Sequence, residues 1–318
     1  MAPPHEESLV KNFLMMTCFL LVSLTAQAKL KVIYGEDNRR DTYETQNSLY
    51  LKLSTATAAM VNIQKFYNPK DTGLVDLKTS TLQRSQNLCS TEAFSKQQLA
   101  PTCSGFLVGP DILVTAGHCF ELQQNACKGF AWIFGYDMKS SFHNPGKDIS
   151  IKDNVYLCEK VIDVQLNDTF DYTIVKLNRP VVGREPLQFR TTGKVSESAK
   201  LVVIGHPSGL PTKIADDSKV MDNSKETTFE ATLDTFQGNS GSAVFDSQTG
   251  LLEGILIQGR NDYGLSDPHD ENSCRVVNRC DADGANCSSP EAGDDSISGE
   301  VVFRITAIAT KIQDALND

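Results

Sequence analysis

Apolar residues along the chain gather in short runs, many alternating with polar positions, between clusters of Gly, Pro, Asn, Asp and Ser. Up to about residue 54 the chain is polar and turn-like, an extended arm rather than a domain. Thr57–Gln64 is the first run with the character of a core strand, and residues 67–100, with no strong period, predict a long surface connection. From Cys103 the pattern sharpens: Ser104–Val108, the turn Gly109-Pro110 and Ile112–Thr115 predict strand, tight turn, strand. Phe130–Gly135, Asn154–Ile162, Tyr172–Leu177, Lys200–Gly205, Phe229–Leu233, Ser242–Phe245 and Glu253–Gln258 continue the series. Many short β-runs separated by turn signals predict an all-β sandwich or barrel. Only the tail is helical in pattern, with Ile305, Ile308, Ile312 and Leu316 on one face, expected to cover one side of the second sheet layer.

The N-terminus departs from this pattern. Lys11 precedes an apolar run from Phe13 to Leu24, then Ala26-Gln27-Ala28, which together predict a cleaved secretory signal over residues 1–28. The run is too short for a comfortable membrane span, so no stable anchor is expected after cleavage. Of nine cysteines, Cys18 leaves with the signal. The remaining eight, an even number in an exported chain, predict disulfides and a secreted or periplasmic location. Cys127–Cys158 is a plausible pair because both flank strands of the first half, while either Cys89 pairs into the Cys274–Cys287 group or two of that group pair locally. The spacings of His269, Cys274, Cys280 and Cys287 do not match a zinc site, so no metal is expected there. The 318 residues carry a net charge of −10, which disfavours nucleic acid or an anionic membrane as partner.

Two stretches carry candidate chemistry. Gly238-Asn-Ser-Gly-Ser242 places a serine between glycines ahead of an apolar run, which reads either as a polar turn or as an exposed nucleophile with backbone N–H groups gathered around it. Leu113-Val-Thr-Ala-Gly-His-Cys119 tips the balance, because histidine is the natural base near neutral pH and His118 alone of the five follows a strand and adjoins a cysteine. A nucleophile elbow would need glycine at position 242, where Ser242 stands, and the opposite order of acid, base and nucleophile.

Thr115–Cys119 together with Gly238–Ser242 resembles the chymotrypsin-fold, trypsin-like serine peptidases. Cys103, fifteen residues before His118, has the spacing of that family's bridge, which implies a Cys103–Cys119 disulfide. Asp171-Tyr-Thr-Ile-Val-Lys-Leu177 fits the strand that bears the family's acid. The resemblance implies a catalytic His118, Asp171 and Ser240, with the N–H groups of Gly238 and Ser240 as oxyanion donors. It implies two six-stranded antiparallel barrels, residues 57–180 and 181–304, then a C-terminal helix over 305–318, with residues 29–56 as an N-terminal arm or short propeptide. No cofactor is needed. The expected partners are polypeptide substrates, met by a monomer.

Two departures refine this expectation. Asn239 stands where trypsin-like zymogens have the aspartate that pairs with a newly freed N-terminus. That asparagine, with Val32-Ile-Tyr-Gly near the start, resembles secreted glutamyl endopeptidases and implies trimming after Lys31. Thr235 supplies their pocket hydroxyl, but Leu256 stands where their pocket histidine belongs, in a strand ending at Gln258. Asp234 occupies the place of trypsin's pocket-floor aspartate: it either attracts Lys or Arg or is satisfied by local backbone donors. The competing function is a secreted binding module on an inactive peptidase scaffold.

Overall fold

The structure, a computed structural model, describes residues 33–121, 123, 125–259, 262–283, 288 and 299–317. The leader over residues 1–28, the start at Val32 and Cys287 lie outside these.

Strands Thr57–Asn62 (β3), Cys103–Leu107 (β4), Ile112–Thr115 (β5), Phe130–Phe134 (β6), Val155–Leu166 (β7) and Asp171–Leu177 (β8) close into an antiparallel barrel in the order β6-β7-β8-β5-β4-β3. A second barrel contains Lys200–Gly205 (β9), Lys213–Asp222 (β10), Thr228–Ala231 (β11), Ala243–Asp246 (β12), Leu252–Gln258 (β13) and Glu300–Arg304 (β14), ordered β9-β12-β13-β14-β11-β10 and closed by β9 on β10. Counted within each barrel, both rings run 1-4-5-6-3-2. The two halves therefore repeat one topology that no sequence repeat announces. The fold is chymotrypsin-like.

Alternation explains the cores. Leu201 and Val203 of β9, Phe229 of β11, Val244 of β12, Leu256 of β13 and Val302 of β14 meet inside the second barrel, every second residue of its strand turned inward. The opposite faces of β9, β12, β13 and β14, with Ile204, Phe245, Ile255 and Phe303, join the core that contains Phe106, Trp132 and Ile174 of the first barrel. Inter-barrel packing is thus continuous with one barrel's interior, which fixes the two halves against each other.

Three regions differ from the sequence expectations. The arm is structured: Ile33–Tyr34 (β1) pairs parallel with Arg279–Cys280, Arg39–Asp41 (β2) adds to β10 as a seventh strand, and Ser48–Ser54 (α1) is a helix N-capped by Asn47. Within 67–100, Leu74–Leu77 packs Val75 and Leu77 against Ala59 and Ile133. Strands β10 and β14 escape a hydrophobicity reading because β10 carries three aspartates and β14 is short and bounded by Glu300 and Arg304. The tail is a 3-10 turn over Ile305–Ile308 followed by a helix over Ala309–Asn317 (α2). Ile312 packs into the shared core and Lys311 pairs with Asp163 of β7, so the helix reaches the first barrel rather than only the second.

Disulfides join Cys103 to Cys119, Cys127 to Cys158 and Cys89 to Cys274. They are compatible with an oxidising compartment. No helix among the described residues is long and apolar enough to cross a membrane.

Candidate active site

Strand register brings Asp171 to His118. Thr173 of β8 is opposite Thr115 of β5, so two further residues along each strand set Asp171 across from Gly117, beside His118. The carboxylate grips His118 twice: Oδ1 accepts from the His118 backbone N–H at 2.9 Å, and Oδ2 lies 2.8 Å from Nδ1. With Asp171 accepting at Nδ1, the imidazole keeps its proton there and presents Nε2 as the basic nitrogen.

Strand β4 brings the Gly238–Ser242 segment to the same place. Cys103 is bridged to Cys119, the neighbour of His118, and the next residue, Ser104, donates its N–H to the Ser240 carbonyl at 2.8 Å. Ser104 Oγ donates to the Gly238 carbonyl at 3.2 Å and accepts from the His206 N–H at 3.0 Å. Two adjacent residues of one strand thus hold the His118 turn covalently and the Ser240 loop by hydrogen bonds. Closing the 16-residue separation between Cys103 and Cys119 stabilises the fold by about 3 kcal/mol in the chain-entropy account.

The loop itself is shaped for donors. Gly238 has φ +95°, in the region where only glycine is unstrained. The Gln237 carbonyl accepts from the Ser208 N–H. In a trans peptide this turns the Gly238 N–H the opposite way. Among the described residues, neither the Gly238 nor the Ser240 N–H donates to a protein acceptor, whereas the Asn239, Gly241 and Ser242 amides all do. A His118 ring nitrogen and the Cys103 and Cys119 sulfurs lie within 4.8 Å of one another, but the sulfurs are consumed in a disulfide and cannot serve as thiolate ligands.

The four residues expected to line a specificity pocket separate. Thr235 is buried, and its hydroxyl donates to Glu300 Oε2 at 2.7 Å. Gln258 is exposed at the end of β13. Leu256 faces the core of the second barrel, because strand alternation turns its side chain inward. Asp234 faces the N-terminal segment: Oδ1 accepts from the Tyr34 N–H at 2.8 Å and Oδ2 from the Asn38 N–H at 2.9 Å. Of the two readings of Asp234, this geometry is the one satisfied by backbone donors. Sequence reasoning missed Ser104, Ser208 and Glu300. Only Glu300 had a signal, an acid at the head of an apolar run.

The same N-terminal segment braces the residues before Ser240 by other contacts. The Arg39 guanidinium lies over the Phe236 ring at 4.1 Å, Ile33 packs with Phe236 and Tyr263, and Asp41 pairs with the buried Lys213. Burial pushes the Asp234 carboxyl up to about 7, against the two amide hydrogen bonds that lower it. Between its ordinary value of 3.8 and about 7 the folded chain therefore holds a proton that the unfolded chain releases, so this group's contribution to stability falls as pH rises through that window. Asparagine keeps one acceptor oxygen and cannot titrate. The stability of Asp234→Asn relative to wild type is expected to rise from pH 4 to pH 8, by at most about 4 kcal/mol. Melting curves of the two proteins across that range check it, and parallel curves would sink the assignment.

The family model described as Trypsin-like peptidase domain matches residues 103–255. Among solved structures, the VesB protease of Vibrio cholerae is similar over 88% of this chain and 68% of its own, with a TM-score of 0.50 and 14% identity. A scabies mite inactivated protease paralogue is similar over 89% of this chain and 99% of its own, with a TM-score of 0.48 and 14% identity. Rv3671c of M. tuberculosis H37Rv, in a mutant inactive form, is similar over 89% and 96% with a TM-score of 0.46 and 12% identity. No curated protein sequence matches. The stretch with both candidate motifs, residues 103–255, thus matches the trypsin-like peptidase domain, on a chymotrypsin-like fold of two six-stranded barrels.

Proposed function

We propose that the chain is an exported serine endopeptidase that cleaves polypeptides through Ser240, His118 and Asp171, without a cofactor and as a monomer. One observation carries the reading: Asp171 holds both the backbone and the ring of His118, while β4 ties that turn to the Ser240 loop. Ser240 Oγ attacks the peptide carbonyl as His118 Nε2 takes its proton. The oxyanion that forms is met by the N–H groups of Gly238 and Ser240. His118 then returns the proton to the leaving amine, and water, deprotonated by the same base, releases the acyl-enzyme. Asp171 stabilises the imidazolium during both transfers. Cys119 has no nucleophilic part, being held in its disulfide.

A preference for basic residues before the scissile bond, and release into the periplasm or medium, belong to the same proposal. A fluorophosphonate probe tests its catalytic part. The folded mature protein is expected to be labelled at Ser240, and Ser240→Ala to abolish labelling. A folded wild-type protein that takes up no probe is a binding module on a peptidase scaffold instead.

A further inference from the structure

We infer that Asp262 and Tyr263 are positioning residues for the oxyanion donor, holding the Gln237–Gly238 peptide so that the Gly238 N–H faces the substrate carbonyl. The inference rests on the endopeptidase reading, because an oxyanion donor has a task only in that reaction.

The covalent chain does not fix this orientation. Gly238, at φ +95°, has no Cβ to resist a change of backbone direction. A half-turn of the trans peptide would withdraw the donor and present the Gln237 carbonyl in its place, where its oxygen repels a developing oxyanion. Non-covalent contacts at Gln237 therefore have to choose between the two arrangements.

Two adjacent residues supply those contacts, one on each side of the Gln237 α-carbon. Asp262 Oδ2 accepts from the Gln237 N–H at 2.8 Å. The Gln237 carbonyl accepts from the Ser208 N–H, and Ser208 is a non-glycine residue at φ +53°. That conformation costs energy and persists only where the surroundings hold it. Tyr263 does so: its phenol and the Ser208 hydroxyl share a hydrogen bond of 2.6 Å. The Tyr263 ring also packs on Phe236, one residue before Gln237, with 5.3 Å between centroids. The peptide planes before and after the Gln237 α-carbon are thus both tied, and with them its φ and ψ.

The clamp has its own anchorage. Tyr263–Leu265 pairs antiparallel with Arg275–Val277, and the Asn278 N–H donates to the Asp262 carbonyl at 3.0 Å at the base of this hairpin. Arg275 bridges to Leu88 and Cys274 is bonded to Cys89, which fastens the hairpin to the segment between β3 and β4. Tyr263 and Val277 share a buried core with Leu88, Leu210 and Phe236. Two segments with no part in the proposed chemistry therefore converge on the residue before the donor.

Kinetics on a peptide amide and hydrogen exchange test the assignment. Asp262→Ala and Tyr263→Phe are each expected to lower kcat about tenfold or more with KM within about threefold of wild type, because the donor acts on the transition state and not on bound substrate. The double variant is expected to approach the loss of about 10²- to 10³-fold that follows removal of one oxyanion donor. Asp262→Asn keeps an acceptor for the Gln237 N–H and is expected to recover most of the alanine loss. Tyr263→Phe removes a single oxygen and serves if Asp262→Ala fails to fold. Amide exchange of residues 236–241 needs no turnover, and it is expected to run at least about tenfold faster in Asp262→Ala.

A wild type labelled by fluorophosphonate, with variants that keep kcat within about threefold of it, would leave the endopeptidase reading and overturn the positioning role. A matching rise in KM, or an asparagine variant no better than alanine, would overturn that role as well. An unlabelled wild type with faster exchange in Asp262→Ala would leave the clamp standing and remove the endopeptidase reading. Unchanged exchange overturns the clamp in either case.

Discussion

Replacing Asp171 with asparagine is expected to lower kcat about 10⁴-fold while the protein stays folded. The aspartate makes two contacts with one residue, 2.9 Å to the His118 N–H and 2.8 Å to Nδ1. An asparagine carbonyl can preserve the backbone contact, but its amide then faces Nδ1 with a donor. The imidazole must turn Nδ1 into an acceptor and carry its proton on Nε2, where it can no longer take one from Ser240. Rates on an activated ester, read beside melting temperature, separate this effect from unfolding. A loss smaller than tenfold would mean that Asp171 does not set the tautomer of the base. His118→Ala, which removes the base altogether, is expected to lose about 10⁴- to 10⁶-fold by the same measurement.

The second large effect concerns backbone rather than chemistry. Gly241→Ala is expected to dislodge the nucleophile loop and destabilise the protein by about 3 kcal/mol or more. Gly241 has φ +83°, and a Cβ there would stand 2.1 Å from the Ser104 carbonyl and 2.3 Å from Thr115 Oγ1. Neither neighbour can yield. The Ser104 carbonyl belongs to β4 and already accepts from Thr115 Oγ1 at 2.6 Å, while Thr115 ends β5 just ahead of His118. Relief requires the loop to lift, which breaks the hydrogen bond between the Ser104 N–H and the Ser240 carbonyl and moves the nucleophile from the base. The expected result is a melting temperature lower by several degrees and fluorophosphonate labelling slowed at least about 100-fold. A variant that melts and labels like wild type would show that the loop does not need this contact.

Legibility followed the range of the forces involved. The apolar runs at 104–115, 130–135 and 172–177 read correctly as strands because burial on one or both faces writes itself into local alternation. Strands β10 and β14 did not, since a strand that exposes aspartates on one face, or that spans five residues between two charges, leaves no local hydrophobic signature. The N-terminal arm looked like linker for a related reason. Its stabilisation comes from partners 172 and 200 residues away, Lys213 and Asp234, which no window along the chain can contain.

The sequence by itself determined the residue types of the candidate chemistry: Ser240 between glycines, His118 beside a cysteine, and Asp171 at the head of an alternating run. Each depends on neighbours within a few positions. Only the tertiary structure decided where the charges point. Asp234 lies six residues before Ser240, and its place in the chain left two readings open, attraction of a basic side chain or satisfaction by backbone donors. Folding turns Asp234 toward the N-terminal segment, where the amides of Tyr34 and Asn38 claim both of its oxygens. A carboxylate's direction is set by which donors and which empty volume the whole fold brings to it, and that information is not local.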